Sequence, residues 1–260
     1  MSATTPDHIA RHGDDTPEAG QLDLSRPSGK RTTTSGCASV FMIVATLLAV
    51  IPLVWLLSAA IRRGIGSLFH VSWWTHSMDP SFELAKQGAI HAIVGTLEIG
   101  LLTSIISVPI ALLTAIFLVE YARGTKIAKA ISFAVDVLTG VPSIVAALFV
   151  FAVVVTTFGG AQSAWASSLA LMILMIPTVL RSTEEMLKLV PDSLREASFA
   201  LGVSKWKTIM RVVLPTSMTG ILTGIVLGLA RVMGETAPLI VLVQFNTELT
   251  FNPSTPNFAT

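Results

Sequence analysis

An arginine and a glutamate lie four residues apart in an otherwise apolar run, at Arg231 and Glu235. An arginine inside a membrane helix costs about 2.5–3.5 kcal/mol on insertion scales, so it is kept away from lipid. In a continuous helix, positions four apart share one face. Glu98, in an earlier apolar run, is expected at a similar depth. These residues form either an ion pair that locks helices together or a site for a translocated anion, since guanidinium binds oxyanions.

The composition indicates that these residues lie in a membrane protein. Of the 260 residues, 52% are hydrophobic and 13% are charged, and the mean hydropathy is +0.72. Soluble domains carry roughly 25% charged residues. The net charge of +1 argues against nucleic-acid binding. A single cysteine, Cys37, excludes an internal disulfide, and neither it nor the five histidines give a metal-ligand spacing.

Five apolar runs are long enough to cross a bilayer, which takes about 20 residues in a helix. They cover residues 39–61, 93–119, 129–157, 164–180 and 216–243. The fold class is therefore an all-α polytopic membrane bundle over residues 37–260. Residues 1–36 are polar, and we expect a disordered cytoplasmic tail.

Prolines and glycines fall inside these runs and are expected to interrupt the helices, as bundles tolerate. They are Pro109, Pro142, Pro177, Gly140, Gly220, Gly224 and Gly228. We expect Asp136, in the third run, to have a structural role, paired with Lys129 or with a neighbouring helix.

The distribution of basic residues predicts the orientation in the membrane. Thirteen of the 17 lysines and arginines fall in the tail, in residues 120–129 or in residues 181–214. The opposite segments hold Arg62, Arg63 and Lys86. We therefore expect a cytoplasmic N-terminus and a cytoplasmic loop at 181–215.

The loop at 181–215 has the pattern of two short helices joined at a glycine. Asp192 or Ser193 can cap the first helix, whose apolar face is expected to carry Leu194, Ala197, Ser198 and Leu201. Gly202 is placed to end that helix with a positive φ. Ser204 then begins a second short helix, and Pro215 falls just inside the start of the fifth membrane helix.

This loop resembles the EAA loop of ABC importer permeases. The motif positions are Glu196, Ala197, Gly202, Val212, Leu214 and Pro215, and Ser198 replaces the second alanine of the motif. The resemblance implies a type I importer permease fold (MetI-like) in which this loop docks on a cytoplasmic ATPase. ATP and Mg would then bind the partner ATPase, and this chain would bind no cofactor. The sequence contains no Walker A pattern.

The run from Arg231 to Pro238 and the run Gly88–Thr96 resemble the phosphate-specific ABC permeases of the PstA type. The resemblance implies a PstC-type permease partner, two copies of a PstB-type ATPase and a PstS-type phosphate-binding protein. Arg231 and Glu235 would line the phosphate path. It also implies a sixth membrane helix, for which we find no sixth apolar run.

Three other functions remain open from the residues. The first is an ABC permease for a different oxyanion or an amino acid. The second is a proton-coupled secondary transporter that uses Glu98, Asp136 and Glu235 as proton carriers. The third is a sensory scaffold that does not transport.

Overall fold

The computed structural model describes residues 29–78, 88–244 and 251–254, and this part of the chain contains helices and no strand. The predicted tail lies mostly outside it. The helices are α1 Gly29–Gly64, α2 Val71–Thr75, α3 Ile90–Ile116, α4 Lys126–Thr139, α5 Ser143–Val150, α6 Ala164–Leu189, α7 Asp192–Ala200, α8 Lys205–Thr208, α9 Leu214–Met233 and α10 Ala237–Leu242. Segments with π-helical geometry follow α3 (Phe117–Tyr121) and α5 (Phe151–Thr157) and join α8 to α9 (Ile209–Val213).

Helix α1 forms a unit of its own. It begins at Gly29, inside the segment predicted to be a disordered tail, and contains Pro52 without a break. Its span Ser35–Gly64 has a mean hydropathy of 2.8 and buries none of its most apolar window. Such a helix has the length and composition of a membrane-crossing segment.

The second unit is built around α3 and α6. Small residues on one side of α3 let the two helices approach, and Ser107, Ala111 and Ala115 have no exposed surface. Ala111 and Ala115 belong to the same buried cluster as Leu171 and Met175 of α6. Close approach through small residues is the usual way that membrane helices associate.

Helix α9 packs against α6 along three glycines, which we call the glycine seam: Gly220, Gly224 and Gly228. A Cβ atom at these positions would lie 2.1 Å from Met186 Sδ, 2.2 Å from Ser182 Oγ and 2.9 Å from Val179 Cγ2. The glycines are therefore needed for close packing. The prediction that they interrupt the helix is wrong, and α3 and α6 likewise continue through Pro109 and Pro177.

The third apolar run is two helices rather than one kinked helix. Helices α4 and α5 are bent by 103° at the Gly140–Pro142 break. Pro142 is the N-cap of α5 in an extended conformation, and proline disfavours helical geometry in the residue before it. The described residues hold four helices able to span a bilayer, or five if this bent pair counts as one span.

The fifth run also differs from the single helix that the sequence predicts. Helix α9 ends at Met233 with Gly234 as its C-cap, and α10 begins at Ala237. Helix α10 packs against α5 and α6, with Leu242 fully buried. The helix is therefore interrupted between Arg231 and Pro238, within the predicted anion site.

Candidate functional site

The first arm of the loop is α7, and its end confirms the role predicted for Gly202. Gly202 has φ +74°, its N–H donates to Phe199 O, and the Val203 N–H donates to Ser198 O. This is the paired hydrogen-bond pattern with which glycine closes helices. The prediction that Asp192 or Ser193 caps this helix is wrong. Pro191 is the N-cap, and no side chain makes a capping hydrogen bond there.

The second arm is not a separate short helix. Ser204 is the N-cap of α8, as expected, but α8 continues through the π segment into α9, giving one span Lys205–Met233. Pro215 occupies the first turn of α9. We call α7, Leu201–Ser204 and α8 together the elbow.

The elbow buries a different face from the one predicted. Ser198 is buried, but so is Arg195, whereas Leu194 is 40% exposed and Leu201 is 83% exposed. Among the motif positions, Glu196 and Ala197 are exposed, Leu214 is buried, and Val212 is half-buried. The apolar side chains therefore face outwards, which leaves an exposed apolar surface on a loop.

Arg195 faces inwards because its guanidinium pairs with Glu120, in the π segment after α3. Sequence reasoning missed this pair, because the two residues are 75 positions apart. The available signal was Glu120 itself, an acidic residue ending the second apolar run.

A second ion cluster joins α4 to α6. Arg181 pairs with Asp136, donates to Glu184 at 2.7 Å and donates to Ser132 O at 2.9 Å, while Lys188 pairs with Glu184 at 2.7 Å. Asp136 therefore has the structural contact with a neighbouring helix that the sequence predicts. Its carboxylate is paired with Arg181, which argues against a role as a proton carrier.

Arg231 lies on the open face of α9. Its side chain is exposed and makes no hydrogen bond or ion pair with any residue of the described segments. Next to it along the helix runs an apolar groove of about 510 Å³. The groove is lined by Thr219, Leu222, Thr223, Val226, Leu227 and Ala230.

Neither predicted carboxylate partner meets Arg231 among the described residues. Glu235 is half-buried but follows the end of α9, so the expected shared helix face is wrong. Gly100 of α3 faces α9, because a Cβ at this position would lie 3.4 Å from Met233 Cγ. Glu98 is about 200° around α3 from Gly100 and therefore points away from α9. Among the described residues, Arg231 therefore forms no ion pair with Glu235 or Glu98, and the predicted ion pair that locks two helices together is not found.

Residues 107–253 match the family of the binding-protein-dependent transport system inner membrane component. This stretch contains the elbow, the glycine seam and Arg231. The chain belongs to this family. It is thus a multi-pass membrane component of an ABC importer, and we refer to it below as the permease.

Curated relatives agree with this assignment. The permease is 47% identical to the phosphate transport system permease protein PstA of Mycobacterium leprae, covering 89% of this chain and 76% of the relative. It is 48% identical to PstA 1 of Mycobacterium tuberculosis (88% and 75% covered) and 41% identical to PstA of Yersinia pestis (78% and 68%). A solved inward-facing MetNI methionine ABC transporter aligns with a TM-score of 0.48 at 20% identity, covering 56% of this chain and 68% of that one.

Proposed function

We propose that the permease is the transmembrane subunit of an ATP-driven inorganic phosphate importer and catalyses no covalent reaction itself. It forms the translocation pathway with a PstC-type permease subunit. Two copies of a PstB-type ATPase hold the ATP and Mg, and a PstS-type protein delivers phosphate. The names of the relatives support the substrate, and Arg231, which has no partner among the described residues, supports the site.

Arg231 is the observation that carries the proposal. An unpaired arginine facing lipid is costly, so its exposed face of α9 must meet water or a partner subunit. The adjacent groove is apolar and open, as expected of a surface that packs against a second subunit. An arginine at the edge of such an interface can offer its planar fork of donors to phosphate. Glu235 beside it and Glu98 on α3 are the carboxylates that we place on the same pathway.

The elbow supports the coupling role. Its exposed side chains include Phe199, 45% exposed, and Trp206, 56% exposed, together with Leu194 and Leu201. Large apolar side chains on an exposed loop are typical of a protein interface. In this proposal the elbow and the N-terminus are cytoplasmic, the elbow docks on the ATPase, and ATP-driven closure of the ATPase moves α9 and its Arg231.

The test is uptake of radiolabelled phosphate by the complete transporter in proteoliposomes with ATP on the ATPase side. Arg231→Ala removes charged hydrogen bonds to phosphate, so we expect uptake to fall about 10- to 100-fold. Arg231→Lys keeps the charge but not the planar fork of donors, so uptake by this variant should fall less. Arg63→Ala, which removes an exposed arginine of α1, is the matched control and should keep normal uptake.

Three outcomes would contradict the proposal. Unchanged uptake in Arg231→Ala at matched membrane levels would remove the pathway assignment. Equal competition by sulfate or molybdate would favour an importer for another oxyanion. Uptake that continues without ATP while a proton gradient remains would favour a secondary transporter.

A further inference from the structure

The buried guanidinium of Arg195 has a hydrogen-bond partner for each of its five N–H groups. Nε donates to Glu120 Oε1 at 3.1 Å, and Nη2 donates to Glu120 Oε1 at 2.8 Å and to Leu187 O at 2.9 Å. Nη1 donates to Val190 O at 2.6 Å and to Asp192 Oδ1 at 3.0 Å. The Arg195 side chain is only 10% exposed, and that of Glu120 is 7% exposed. We call Glu120, Asp192 and Arg195 the latch.

The latch joins three helix ends that are separate in sequence. Glu120 belongs to the π segment after α3, while Leu187 and Val190 provide carbonyl groups at the end of α6. Asp192 is the first residue of α7. Carbonyls at a helix end lack partners within the helix, and a cation is favoured there by the helix dipole. One side chain of α7 therefore satisfies the end of α6 and holds the end of α3.

Helix α8, the second arm of the elbow, is attached to α7 and to the end of α3. Ser198 Oγ and Thr208 Oγ1, both buried, are 2.8 Å apart and join α7 to α8. Lys205 Nζ lies 4.8 Å from the ring centre of Tyr121, next to Glu120. Both arms of the elbow thus contact the end of α3.

The covalent connection to α6 does not by itself fix the orientation of α7 relative to α6. Only Val190 and Pro191 separate α6 from α7, and Pro191 has extended geometry with φ −60° and ψ 138°. A two-residue link between helices can act as a hinge, because a few backbone dihedral angles absorb the change.

We propose that the latch makes Arg195 a positioning residue, which fixes α7 to the ends of α3 and α6 so that they move as one body. This inference rests on the proposed function, in which the partner ATPase pushes on the elbow. With the latch closed, that push reaches the membrane helices. With the latch open, α7 swings about Val190 and Pro191, and ATP hydrolysis proceeds without transport.

The mildest test variant is Glu120→Gln, which keeps the shape and one acceptor but loses the charge. The difference between a charged and a neutral hydrogen bond corresponds to about a tenfold lower ratio of closed to open latch. We expect more ATP hydrolysed per phosphate transported, with a tenfold increase as the upper bound. Glu185→Gln is the matched control, because Glu185 is an exposed carboxylate of α6 without a described contact, and its ratio should equal the wild type.

The second measurement does not depend on the substrate. Spin labels are placed at Leu113→Cys on α3 and Ser193→Cys on α7, both exposed, in a Cys37→Ser background of the assembled transporter. The label distance is measured without nucleotide and with ATP and vanadate. We expect one unchanged distance with the native latch and a nucleotide-dependent distance in Glu120→Gln.

A label distance that changes with nucleotide while the latch is native would overturn the inference. So would a Glu120→Gln transporter that matches the wild type in both ATP ratio and distance. If Glu120→Gln does not assemble, the measurement with the native latch still decides. Absence of phosphate uptake in the wild type would instead refute the proposed function and leave the distance result interpretable.

Discussion

Substituting alanine for Gly224 tests the close packing of α6 and α9 most directly. The added Cβ would lie 2.2 Å from Ser182 Oγ and 2.6 Å from Ser182 Cβ. Carbon atoms in contact are separated by about 3.5–4.0 Å, so the helices must move apart by about 1 Å. Rotation of a flexible side chain cannot relieve the clash, because Ser182 Cβ is fixed to the backbone. The same movement would loosen the packing at Gly220 and Gly228.

The expected magnitude follows from two opposed effects. Overpacking of this kind costs about 1–3 kcal/mol. Replacing glycine by alanine in a helix stabilises it by about 1 kcal/mol. Gly100→Ala is the matched control: Gly100 is a buried helix glycine too, but its added Cβ has room, 3.4 Å from Met233 Cγ. The two variants should therefore differ by the overpacking cost alone.

The assay is thermal unfolding of the purified permease in detergent. At about 2–4 °C per kcal/mol, Gly224→Ala should unfold about 2–12 °C below Gly100→Ala. Adding Ser182→Gly to Gly224→Ala should restore stability, and Ser182→Ala should restore it only in part, because the Cβ contact remains. Equal unfolding temperatures for the two alanine variants, or no restoration by Ser182→Gly, would refute the reasoning.

Three further predictions concern the elbow, the α4–α6 ion cluster and the groove. Gly202→Ala should destabilise the permease by about 1–2 kcal/mol in thermal unfolding, whereas Gly202→Asn should cost less, because asparagine adopts positive φ more readily; equal costs would contradict the role of φ. Arg181→Gln should lower the free energy of unfolding by about 1.5–3 kcal/mol, because it removes a partner of the buried Glu184. Asp136→Asn should lower it less, because the Asp136 side chain is 65% exposed. The reverse order in thermal unfolding would contradict this. Leu227→Arg should reduce co-purification of the second permease subunit, and undiminished recovery would place that subunit elsewhere.

The sequence predicted the membrane segments well, because hydropathy records burial in lipid directly. The interruption predicted at Gly140 and Pro142 is confirmed, but the one at Gly234–Thr236 was not predicted. Gly234–Thr236 lies inside a run whose mean hydropathy stays high across the break, so hydropathy does not show that the helix ends there. The same kind of residue behaves differently at Gly224, where glycine serves packing instead. Only the opposing helix, far away in sequence, decides between the two roles.

The elbow shows a similar division. Gly202 was predicted with its positive φ, because helix termination is encoded locally. The buried face of α7 was not, because it depends on Glu120 from another helix. A helical pattern read alone assigns leucines to the core, whereas here a fully paired arginine takes that place.

The π segment Ile209–Val213 has a consequence for the relation between the elbow and Arg231. Each residue of an α-helix advances the side chains by about 100° around the axis, and a π turn accommodates one residue more than an α turn. The segment therefore sets the angular phase between α8, which Ser198 and the ring of Tyr121 hold, and α9, which the glycine seam holds. Deleting one residue of the π segment would remove none of the residues that make these contacts. It would nevertheless rotate the groove and Arg231, which both belong to α9, relative to α6, or else pull the elbow off α3.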